Sequence, residues 1–242
     1  MATPMFQHGK NGFLAIGYEK SASNISTLSS AYSGSGSMSV TPAASSLLAG
    51  GVALDYNAVS PVTNTRYGAF VNGVPVATDT AFATGTSSYT LSVNGGVSLA
   101  NGSPVLPMVN LSPYINDISF PQAIETPETT TFSQQGVRTY IVGLKGYTIT
   151  FSGMYDPTAA TSTTTGGTDA IMSALISFQD AGKFIPFLYG PASPGAFTGQ
   201  SASVLYYGQA LLNKYDLKSG VNAIVSFDGE LQVTGVVTRT VL

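Results

Sequence analysis

Along much of this chain, hydrophobic side chains alternate with hydroxyl-bearing ones. Over residues 147–155, Tyr147, Ile149, Phe151, Gly153 and Tyr155 alternate with Thr148, Thr150, Ser152 and Met154. This is the two-residue period of a strand with one face packed and the other solvated. Comparable signals occupy residues 115–120, 183–188, 203–212, 223–233 and 236–241, separated by Gly and Pro turns. Upstream, residues 67–71, 74–77, 89–93 and 97–99 carry β-branched and aromatic side chains suited to short strands. They are punctuated by Asn72-Gly73, Asn94-Gly95 and Asn101-Gly102, dipeptides that tolerate the positive φ of tight hairpin turns. Hairpins in series are expected there, and the Ser/Gly-rich residues 29–39 are expected to form a flexible connection. The period changes to helical over residues 168–181, where Ile171, Met172, Leu175, Ile176 and Phe178 make one apolar stripe. Thr168 can cap that helix, Asp169 favours its positive end, and Gly182 can take the left-handed stop. The pattern predicts an all-β, mainly antiparallel sandwich or barrel with one packed α-helix.

Charge is distributed unevenly. Residues 21–110 carry only Asp55, Arg66 and Asp79, whereas residues 111–242 carry fifteen charged side chains. This shift is the strongest boundary signal in the sequence. The whole chain, 242 residues with a net charge of -3 and a pI near 4.9, lacks the basic footprint of a tight nucleic-acid binder. With 43% hydrophobic residues and only 9% charged ones, it is expected to fold, and to be soluble, but to rely little on charge repulsion to stay monomeric. Much of its surface is therefore expected to be covered by neighbouring subunits. No secretory leader is read in residues 1–10, and no apolar run approaches the ~18 residues of a spanning helix.

Candidate chemistry is sparse. With no cysteine there is no thiol nucleophile, iron–sulfur cluster or Cys-based zinc site. A Ser-His-Asp hydrolase would need His8, the single imidazole, and no G-x-S-x-G context accompanies any serine. Glu125 with Glu128, and Asp228 with Glu230, are the close acidic pairs. On a strand, Asp228 and Glu230 would share a face about 7 Å apart, superficially a glycosidase spacing. A catalytic pair normally converges from separate elements in a pocket with aromatic sugar platforms, however, and the chain has no Trp, so a solvated acidic face is the favoured reading. Gly182-Lys183 is followed by Phe184 and no Gly lies five residues before it, so there is no P-loop. The scattered Asp residues form no calcium loop. No metal, no cofactor and no enzymatic activity are expected.

From Leu111 onward a resemblance emerges. It rests on Asp117-Ile118-Ser119, on Glu125 with Glu128-Thr129-Thr130-Thr131-Phe132, and on Thr139-Tyr140 with Gly143-Leu144. It continues through Phe151-Ser152-Gly153 and Leu231-Gln232-Val233-Thr234-Gly235, and the opening residues 1–17, with Gly9-Lys10-Asn11-Gly12, fit the same pattern. In this order and spacing the segments resemble the major tail tube proteins of long-tailed, non-contractile bacteriophages. Compact members pass almost directly from the opening segment to the equivalent of Leu111, so residues 18–110 read as an inserted β-rich module or extended arm. Residues 1–17 together with 111–242 read as a tail-tube-type β-sandwich with one packed helix.

The resemblance implies a structural virion protein, assembled in the host cytoplasm, whose subunits form stacked hexameric rings that conduct the genome. Its implied partners are further copies of itself, other virion structural proteins and DNA in non-specific transit, with no membrane. Residues 133–146 sit where the family carries a loop reaching a neighbouring subunit or ring, so Gln134, Gln135, Arg138, Tyr140 and Lys145 are expected at a subunit interface. A mildly acidic lumen would let phosphates pass without being held, and Glu125, Glu128, Asp228 and Glu230 are the expected channel-facing acids. Two alternatives stand beside this reading. One is a capsid decoration or cementing protein with a tail-tube-like fold. The other is a carbohydrate or host-surface binding module, suggested by the hydroxyl-rich residues 18–110 and the thirteen Tyr.

Overall fold

A computed structural model describes residues 13–44, 46, 58–59, 66–78, 89–124, 128, 145–159, 166–191, 204–221 and 224–241. Its elements are β1 (Phe13–Gly17), β2 (Ser26–Leu28), β3 (Tyr32–Thr41), β4 (Ala58–Val59), β5 (Arg66–Val71), β6 (Val74–Thr78) and β7 (Tyr89–Leu99). They continue as β8 (Pro104–Asn110), β9 (Ile115–Ser119), β10 (Gln122–Ile124), β11 (Lys145–Met154), α1 (Thr168–Asp180), β12 (Ile185–Gly190), β13 (Val204–Lys218) and β14 (Ser226–Val241). Every strand pairing among them is antiparallel. The chain is mostly β, with one helix among the described residues.

One half is an open sheet in the order β11-β14-β13-β12-β1-β8, with β9 and β10 both on the outer edge of β11. Ser119 opposes Thr150 and Gln122 opposes Tyr147, so β9 and β10 form one line in one register, interrupted at Phe120-Pro121. Pro121 has no N–H to give, yet its carbonyl accepts from Thr148 N at 3.5 Å. The period read over residues 147–155 is realised on β11: Ile149, Phe151 and Gly153 are buried, whereas Thr148, Thr150 and Ser152 lie on the half-exposed face. The two strands expected over residues 223–233 and 236–241 are a single strand, β14. Between the pairs Tyr207–Thr238 and Gln209–Thr234 the register slips, so residues 235–237 face Gly208 alone. Gly235, at φ +71, takes the bulge that the sequence pattern presents as a turn.

The other half closes on itself. From β8 the ladder runs β2-β3-β7-β6-β5, and β5 pairs back onto β8 through Ala69–Pro107, Phe70–Leu106 and Val71–Val105. Each of these six strands supplies the enclosed core of Leu28, Met38, Val40, Ala69, Val71, Val76, Leu99 and Val105. Closure pairs edges that would otherwise be exposed. Asn72-Gly73 forms the expected turn, with φ of 48 and 83 at its two residues. Asn94-Gly95 does not: it lies inside β7, where the register against β3 slips between Gly34 and Gly36. Residues 29–39, expected to be a flexible connection, mostly form β3. Backbone pairing with β7, from Tyr32–Leu99 to Val40–Tyr89, makes them a strand, and Ser29 N donates to Ser39 O at 3.1 Å.

β8 belongs to both halves, and two further cores lie on the two faces of the open sheet, the second of them joining the halves. On one face of the open sheet, α1 covers Leu14, Ile16, Ile149, Phe151, Phe187, Phe227 and Leu231 with Ile171, Met172, Leu175 and Phe178. On the opposite face, Phe70 of β5 packs with Ala15, Met108, Leu188 and Leu205. Strand alternation makes this possible, because Ala69 and Val71 point into the closed ring while Phe70 points out of it. The helix stop is as expected: Gly182 takes φ +66, its N–H donates to Gln179 O and Lys183 N donates to Phe178 O, a Schellman ending. The start differs. Gly167 is the N-cap, and Thr168 is the first helical residue, fully buried, with its Oγ1 accepting from Asp156 N at 2.8 Å. Ile176, expected in the buried stripe, is 41% exposed, and Ala174 is buried instead. The helix lies on the sheet along the Ile171–Leu175–Phe178 line, which leaves Ile176 at its margin.

Candidate assembly surfaces

The face of the open sheet opposite α1 carries the charge. On β14, Phe227, Gly229, Leu231 and Val233 are buried, so Asp228, Glu230 and Gln232 point the other way. Register extends this face sideways. Asp228 opposes Asp216 of β13 and Ser152 of β11, and Ser152 opposes Asp117 of β9, giving a row of three aspartates across four strands. Glu230 opposes Lys214 and Thr150, and Thr150 opposes Ser119. The acids are partly matched locally: Lys218 bonds Asp228, Lys214 lies 2.7 Å from Asp216, and Asn213, at a register slip, donates to Glu230. The Asp216 carboxylate, by hydrogen bond and by charge, holds the Lys214 ammonium above the usual lysine range. Ser152 Oγ lies 3.1 Å from Asn116 Oδ1, and Thr148 Oγ1 3.4 Å from Gln232 Oε1. The result is a hydroxyl-rich sheet face with carboxylates in excess. Among the described residues, no three of His, Cys, Asp and Glu converge as a metal-ligand set.

The sequence-derived site residues therefore separate. Asp228 and Glu230 share a face, as their spacing requires. Glu128 is exposed and forms an isolated bridge. Lys145 is exposed at the start of β11, opposite Ile124, about 17 Å along the strand from Thr150 beside Glu230. Glu125, Gln134, Gln135, Arg138 and Tyr140 lie outside the described residues. Sequence reasoning missed Asp117, Lys214, Asp216 and Lys218. The alternation Lys214-x-Asp216-x-Lys218 was a usable signal for the last three, since a charge at every second strand position marks a solvated face. Asp117 joins the row through register, which its own neighbours in sequence do not reveal.

At the other end of the sheet, Phe120 ties the edge inward. Its ring centroid lies 5.7 Å from Tyr147, 5.2 Å from Tyr189 and 5.5 Å from Tyr206. Because Tyr189 and Tyr206 belong to β12 and β13, the contacts show how strongly the sheet curls. Burial, and secondarily Tyr206, raises the Tyr189 hydroxyl pKa.

No family model matches the sequence, and neither does any curated protein. Among solved structures, a chain from the tail of an empty gene transfer agent particle, computed with helical refinement and C6 symmetry, shows 16% identity and a TM-score of 0.38, covering 52% of this chain and 82% of that one. A chain from the virion of a native gene transfer agent particle shows 15% identity and a TM-score of 0.39, covering 52% of this chain and 85% of that one.

Proposed function

We propose that this chain is a structural virion protein, the tail tube subunit of a long-tailed phage-like particle, working by repetitive self-assembly. The supporting observation is where the sequence resemblance falls. Asp117-Ile118-Ser119, Phe151-Ser152-Gly153 and Leu231-Gln232-Val233-Thr234-Gly235 are far apart in sequence, yet they lie on β9, β11 and β14, three adjacent strands. Ile118 opposes Phe151, and Leu231 opposes Ile149. Motifs that adjoin in space belong to one packed unit. In this reading that unit is the tube-type sandwich, the chain has no enzymatic role, and six copies close a ring. The polar sheet face carrying Asp117, Asp216, Asp228 and Glu230 lines the passage for DNA, repelling phosphate where a basic wall would hold it.

The test is negative-stain electron microscopy of the purified chain alone across a concentration series. Hollow rods or six-fold rings are the expected result. Monomers or small oligomers at every concentration would overturn the tube reading in favour of a protein that assembles on an existing lattice, as a capsid decoration protein does.

A further inference from the structure

The long β13–β14 hairpin carries two features, at opposite ends, that the ladder itself does not require. At its distal end, beyond the Lys218–Ser226 pair, the connecting residues 219–225 include no charged side chain. Val221 is fully exposed and Ile224 is 72% exposed. The root of this tip is held in place, since Tyr155 N donates to Val225 O at 3.0 Å. Met154 and Leu217, each also more than half exposed, continue the apolar surface. Aliphatic side chains as exposed as Val221 and Ile224 are a surface that favours burial.

At its proximal end, the bulge at Gly208 and Gly235 faces the Asn72-Gly73 turn across a groove of about 210 Å³. Val74, Tyr207, Gln209 and Val236 are among its lining residues, and none of the lining residues is charged. The turn approaches closely because Gly73 has no side chain: a Cβ there would lie 2.8 Å from Gln209 Nε2. The groove is smaller than the ~300–1,000 Å³ of small-molecule sites, a size that suits one or two aliphatic side chains better than a cofactor. Charge favours the same pairing. The distal half of the hairpin carries Asp216, Asp228 and Glu230 against Lys214 and Lys218, whereas the proximal half carries Arg239 alone.

We propose that Val221 and Ile224 at the hairpin tip of one copy seat in the groove between the Asn72-Gly73 turn and the Gly208/Gly235 bulge of a second copy. The inference rests on the assembly reading above and assigns its surfaces. The tip and one wall of the groove lie on the same hairpin, and Gln209 and Lys218 are about 30 Å apart along it at ~3.3 Å per residue. Displacement along the strand direction therefore brings tip to groove, and sets Arg239 beside the net-acidic half of its neighbour. Such a contact is heterologous, so a pair of copies keeps one free groove at one end and one free tip at the other, and the series propagates.

The chain has no cysteine, which makes the test direct. Val221→Cys and Val236→Cys are introduced together and separately into the full chain, oxidised with copper-phenanthroline, and run on non-reducing gels beside electron micrographs of the same samples. The double variant is expected to give a ladder of trimers and larger species, each single variant at most dimers. Adding Ile224→Asp to the double variant should abolish the ladder. Rods without a ladder would overturn this inference and leave the tube reading standing. A ladder without hollow rods or rings would do the reverse, and neither product would overturn both.

Discussion

At the scale of single residues, close approach decides more than side-chain chemistry. A Cβ on Gly153 would lie 2.0 Å from Tyr114 O, at the point where the β9–β11 register slips so that Gly153 opposes Ile115. Backbone atoms cannot move aside as a side chain can. Gly153→Ala is therefore expected to destabilise the fold by about 3 kcal/mol, the upper range for overpacking, read as a lower urea midpoint. An unchanged midpoint would mean that β9 relaxes freely. Tyr18 makes a second, pH-dependent contribution. Burial, and secondarily the Glu19 charge, push its hydroxyl pKa up to about 12 from 10.0. An unfolded chain loses this proton near 10 while the folded one keeps it, so in that window the unfolded state binds fewer protons and stability falls as pH rises from 10 towards 12. Denaturation midpoints measured across this range should fall less steeply in Tyr18→Phe than in the parent; equal slopes would exclude Tyr18 as a source of the loss.

At the scale of elements, the ends and irregularities carry the information. The stop of α1 depends on Gly182 at φ +66, where a Cβ would have no other atom within 4 Å, so space is not the constraint and backbone conformation is. Gly182→Ala should cost roughly 1 kcal/mol through left-handed strain alone. Thermal unfolding would show this, and an increase in melting temperature would refute the account. Both bulges in the β13–β14 ladder likewise mark places where chemistry departs from the regular pattern. One aims Asn213 at Glu230, and the other opens the groove beside Gly235.

At the scale of the whole molecule, Phe70 and β8 join the closed ring to the open sheet. Phe70 points away from its own ring and is buried among side chains of β1, β8, β12 and β13. Phe70→Ala is expected to cost about 3–5 kcal/mol. Because β8 is shared, calorimetry of the parent should show one transition for both halves, and two separated transitions would refute the coupling. The polar sheet face makes a prediction of its own at this scale. If it lines the genome passage, reversing Asp228 and Glu230 to Lys should slow DNA ejection from particles assembled with the variant, most strongly at low salt where charge is least screened. An unchanged ejection rate in correctly assembled particles would remove these residues from the lumen.

The local pattern alone determined a good deal. The alternation on β11, the Asn72-Gly73 turn, the Gly182 stop and the apolar stripe of α1 are all short-range consequences of backbone geometry and of side chains a few positions apart. The same kind of reasoning mistook residues 29–39 for a flexible connection and Asn94-Gly95 for a hairpin turn, because Ser, Gly and Asn-Gly are compatible with loops and with bulged strands alike. Their state depends on whether a partner strand is present. Tertiary structure alone decided the closure of β5 onto β8, the placing of Asp117 in one row with Asp228 across Ser152, and the meeting of the Asn72-Gly73 turn with Gln209. Each of these depends on strand register between residues distant in the chain, and register is set by how whole faces pack, which no local window of sequence contains.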